Sequence, residues 1–113
     1  MNRFELFTMI FYALDAEWDK NNDEELGEYL SGANPFIFED LRSAVPEVYD
    51  CFCSIIGTDV KISDSYDKAW IYIKTLGNKA VEEAFSKVKK NDWDDAVVEY
   101  LSSDHKGSKS IPL

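Results

Sequence analysis

The chain is poor in residues that interrupt regular structure, with five glycines and three prolines among 113 residues. That is too few for a turn-dense β sandwich. Histidine occurs once, as His105, and cysteine twice, as Cys51 and Cys53. Two cysteines separated by one residue do not make the disulfide framework that staples small secreted domains. On a helix they point about 200° apart, since each residue advances roughly 100°, so two free, buried thiols are expected. The longest apolar stretch, Leu6 to Leu14, falls far short of a bilayer span. Arg3 ahead of it gives a faint likeness to a signal peptide, which Glu5 and the acids from Asp15 onward argue against. The expectation is a cytoplasmic protein with no membrane segment. No glycine-rich segment precedes a helix, so a phosphate loop is not indicated.

What the chain has is bulk and acid. Hydrophobic residues make up 45% and aromatics 14%, enough to bury a core in a chain of one-domain size. The formal net charge is −10, and it is unevenly spread. Residues 1–57 hold twelve Asp and Glu against Arg3, Lys20 and Arg42, a net −9. Residues 58–113 hold ten acids against nine lysines, a net −1. An acidic surface disfavours direct nucleic-acid binding, because phosphate backbones need cations.

The periodicity reads as helices. Phe4, Phe7, Phe11, Leu14 and Trp18 recur at spacings of three and four, the seam of a core-facing helix over Asn2 to Asn21. Glu5, Thr8, Tyr12, Asp15 and Asp19 line its other side. Asp23 can cap a short helix through Leu30. Gly32 and Asn34-Pro35 mark a turn, followed by the apolar knot Phe36-Ile37-Phe38. A third helix opens at Pro46, buries Val48, Tyr49, Phe52, Ile55 and Ile56, and ends at Gly57. A helix over Ser65 to Leu76 is preferred to a small β hairpin within 58–74, for which Val60-Lys61-Ile62 and Trp70 to Ile73 have suitable residues. Two more helices follow Asn78 and Asn91, both suited to capping. The fold expected is all-α: a compact bundle of five or six helices over 1–101, with 102–113 a loose tail.

Chemistry-bearing constellations are sparse. His105 falls in the tail, a poor position for a catalytic base that must be held rigidly. From Glu17 to Glu28 the run EWDKNNDEELGE places Glu17, Asp19, Asn21 and Glu28 at ligand positions of an EF-hand loop. Asn22 stands where that loop requires glycine, and Glu24 where it requires an apolar residue, so a solvated acidic turn is the better reading. Adjacent acids such as Glu24-Glu25, Glu39-Asp40 and Asp94-Asp95 arise readily when a chain has 22 of them. Trp18, Trp70 and Trp93 fall on apolar faces, as core residues do. No catalytic residue, cofactor or metal is expected.

The acidic first half is the feature with a functional implication. Tyr12, Asp15, Asp19, Asp23, Glu24, Glu28, Tyr29, Glu39 and Asp40 form a candidate partner-binding set, with Phe36 at its edge. Charge would steer a basic partner and the aromatics would anchor it. Size, acidity, helical content and the lack of catalytic groups resemble the immunity proteins that protect bacteria from polymorphic and contact-dependent toxins. The segment NDEELGEYLSGANPFIFED, Asn22 to Asp40, is similar to a stretch found in small uncharacterised bacterial proteins. The resemblance implies a non-catalytic inhibitor whose partner is a cognate toxin. The alternatives are a helical adaptor or regulatory module, and beyond these a metal protein or an enzyme whose site is assembled only in space.

Overall fold

Helix α1 (Arg3–Asn21) begins with a reciprocal cap. The Glu5 backbone N–H donates to Asn2 Oδ1, and the Asn2 N–H donates to Glu5 Oε1, both at 2.8 Å, so two otherwise orphaned donors are satisfied together. The structure, a computed structural model, describes residues 1–35, 43, 45–57 and 59–102. Asn22, with φ 53°, turns the chain out of α1, and asparagine tolerates that left-handed conformation better than most residues. Asp23 then accepts from the Leu26 N–H at 3.1 Å and caps α2 (Glu24–Ala33).

Helix α3 (Pro46–Ile56) starts on proline, whose missing N–H is no loss in a first turn. It stops at Gly57, where φ is 79° and a side chain would be strained. A 3₁₀ turn, Ile62–Asp64, leads into α4 (Ser65–Leu76). Asn78 Oδ1 accepts from the N–H groups of Ala80 and Val81 to open α5 (Lys79–Ser86). Helix α6 (Lys90–Ser102) completes an all-α bundle of six helices, with no strand among the described residues.

Several expectations need correcting. Helix α2 runs on through Gly32 to Ala33, because Leu26, Leu30 and Ala33 stack on one buried strip. Helix α6 opens at Lys90 rather than after Asn91, because the Trp93 N–H already reaches the Lys89 carbonyl at 2.9 Å. The hairpin alternative within 58–74 is not taken; Thr58 lies outside the described residues. Val60 instead exchanges two backbone hydrogen bonds with Met1, each of 2.9 Å. Trp70 to Ile73 lie inside α4, with Ala69, Tyr72 and Ile73 buried. Cys51 and Cys53 are both free, but Cys51 is exposed and Cys53 half-buried. Phe52 takes the core position between them.

The largest correction concerns α1, which touches each of the other five helices. A helix so placed is buried on nearly all sides for part of its length. Glu5 and Thr8, read as a polar face, are therefore buried. Glu5 spends its carboxylate on the Asn2 cap. The fully buried Thr8 hydroxyl makes no well-formed hydrogen bond, although Thr8 is near enough to Tyr100 to offset a little of the rise that burial imposes on that phenol.

Two aromatic groups build the core. Phe52 packs edge-on against Phe7 at 5.1 Å and Tyr72 at 4.9 Å between ring centres. Phe85 does the same with Trp70 at 4.9 Å and Trp93 at 5.6 Å. The indole N–H of Trp93 donates to Ser65 Oγ at 2.9 Å, which satisfies a polar group that would otherwise be stranded in the core.

Candidate functional site

The acidic candidates begin on the second half of α1, where the helix emerges from the core. Asp15 and Asp19 are one turn apart, with Asp19 exposed and Asp15 partly so. Burial and then the neighbouring Asp19 charge hold the Asp15 carboxyl above its ordinary value, as like charges at such spacing do. Tyr12, on the same strip, is half-buried, with its ring centre 6.0 Å from that of Tyr100 and 6.3 Å from that of Phe11. Burial raises its phenol. It is a wall of the fold with one edge outward, not a free-standing anchor.

Trp18 couples this strip to α2. Its Nε1–H donates to the Asp23 carbonyl at 3.1 Å, and its ring lies against Gly27 so closely that a Cβ there would sit 2.9 Å from Nε1. Glu24 stands one turn before Gly27, on the strip that meets Trp18, and Glu28 follows Glu24 by one turn. Both are exposed. Asp23, also exposed, is committed through Oδ1 to capping α2. The described structure thus carries Asp15 and Asp19 on one side of the Trp18–Gly27 seam and Glu24 and Glu28 on the other. Among the described residues none of these four forms an ion pair; the ion pairs there are Lys20–Glu17 at 2.9 Å and Lys90–Asp94 at 2.7 Å.

Tyr29 has a structural task. Its hydroxyl lies 2.8 Å from that of Tyr72, and burial followed by the Tyr72 phenol pushes it well above its ordinary value. Only its edge reaches a wide, shallow recess beside Glu25, Glu28, Gly77, Asn78 and Lys79. Glu39 and Asp40, with Phe36 and His105, lie outside the described residues. The stretch Glu17 to Glu28 is two helices joined by Asn22 and Asp23, not a twelve-residue loop, and Glu17 is bonded to Lys20. Among the described residues no group of three or more His, Cys, Asp or Glu side chains is placed to hold a metal ion. No helix in that set is long and apolar enough to cross a membrane.

Sequence reasoning missed a groove between α1 and α6, of about 270 Å³. Met9, Ala13, Ala16, Val88, Trp93 and Ala96 supply its apolar lining, and Tyr12 one wall. It exists because alanines face one another where larger side chains would have met. Its charged lining is balanced, with Glu17 and Asp92 against Lys20 and Lys87, and Lys20 is paired with Glu17. The alanines were visible in the sequence, but the antiparallel pairing of α1 with α6 was not. Comparison with family models, with curated proteins and with solved structures gives no match to this chain.

Proposed function

We propose that this chain is a non-catalytic protein-binding domain that engages a basic protein partner, and that it acts as an inhibitor of the immunity type, neutralising a cognate toxin. The observation that carries the reading is the set of carboxylates Asp15, Asp19, Glu24 and Glu28 on both sides of the Trp18–Gly27 seam, none of them ion-paired among the described residues. Exposed like charges raise the energy of the free protein slightly and lower it again when a cationic surface approaches. Their main effect is on encounter rate and partner choice. A toxin that acts on nucleic acid carries cations in its cleft, which makes it a suitable partner for such a surface.

The test is capture of partners from the native host's lysate at low and moderate salt, with identification by mass spectrometry, beside a variant carrying Asp15→Lys, Asp19→Lys, Glu24→Lys and Glu28→Lys. Asp23 is left unchanged because its carboxylate caps α2. A basic partner that is released by salt and not captured by the variant is the expected result. A partner held equally by both proteins, with the helical signal of both intact, would remove this surface from the reading.

A further inference from the structure

We draw no further inference here: the strongest candidate, the apolar groove between α1 and α6, has a charged lining balanced between Glu17 and Asp92 and the lysines Lys20 and Lys87, and nothing in the structure shows what covers it.

Discussion

Replacing Gly27 by alanine should destabilise this protein, although alanine is the better helix former. In an open α2 the change would gain about 1 kcal/mol from helix propensity. Here the new Cβ would lie 2.9 Å from Trp18 Nε1, closer than such atoms tolerate. The indole is a rigid plate, and its N–H is bound to the Asp23 carbonyl at 3.1 Å, so it must withdraw by several tenths of an ångström and stretch that bond. Overpacking of this kind costs about 1–3 kcal/mol, and weakening an exposed hydrogen bond adds up to about 1 kcal/mol. The net expectation is a loss of about 1–2 kcal/mol once the propensity gain is subtracted. Trp18→Phe removes the offending nitrogen, and in that background Gly27→Ala should become neutral or stabilising. The assay is a double-mutant cycle of urea unfolding followed by far-ultraviolet circular dichroism, whose coupling energy isolates the contact. If Gly27→Ala stabilises both backgrounds by the same amount, the Trp18–Gly27 seam does not join α1 to α2 as described. The result bears on function too, because that seam sets the spacing between Asp15 and Asp19 on one side and Glu24 and Glu28 on the other.

Two further outcomes follow from the ionisable groups. The Asp15 carboxyl is held above its ordinary value, so the native state binds more protons than the unfolded state in that window, and stability falls as pH rises through it. Asp15→Asn should therefore melt higher than the parent at neutral pH, and the difference should vanish below the ordinary aspartate range; equal melting at neutral pH would refute the cost of charging this partly buried carboxyl beside Asp19. Burial pushes the Tyr72 phenol up to about 12, with Tyr29, Tyr49 and Tyr100 also raised. Stability should accordingly be lost as pH climbs above about 10, by about 2 kcal/mol for Tyr72 alone near pH 12. Tyr72→Phe should flatten that decline in urea melts, and an unchanged alkaline slope would count against the buried Tyr29–Tyr72 pair.

The helices themselves were legible because their signals are local. The Asp23 and Asn78 caps, Pro46 at a first helical position, and Gly57 and Gly77 at helix ends each act within a few residues of where they stand. Misreadings arose where a distant partner decided. Glu5 and Thr8 looked solvated because an α1 with one packed face was assumed, and burial on nearly all sides is a property of the assembly. The structural task of Tyr29 was invisible for the same reason, because nothing near it in sequence announces Tyr72, 43 residues away, as the partner of its hydroxyl.

Sequence alone determined the all-α class, the bounds of most helices to within a residue or two, and the excess of acid in the first half, since propensity, capping and composition are carried by neighbouring residues. The tertiary structure decided which carboxylates share a surface, how the tyrosine hydroxyls are paired, and that Ala13, Ala16 and Ala96 line a furrow between α1 and α6. Those are relations between helices, set by how their side chains interlock, and no short-range pattern specifies them.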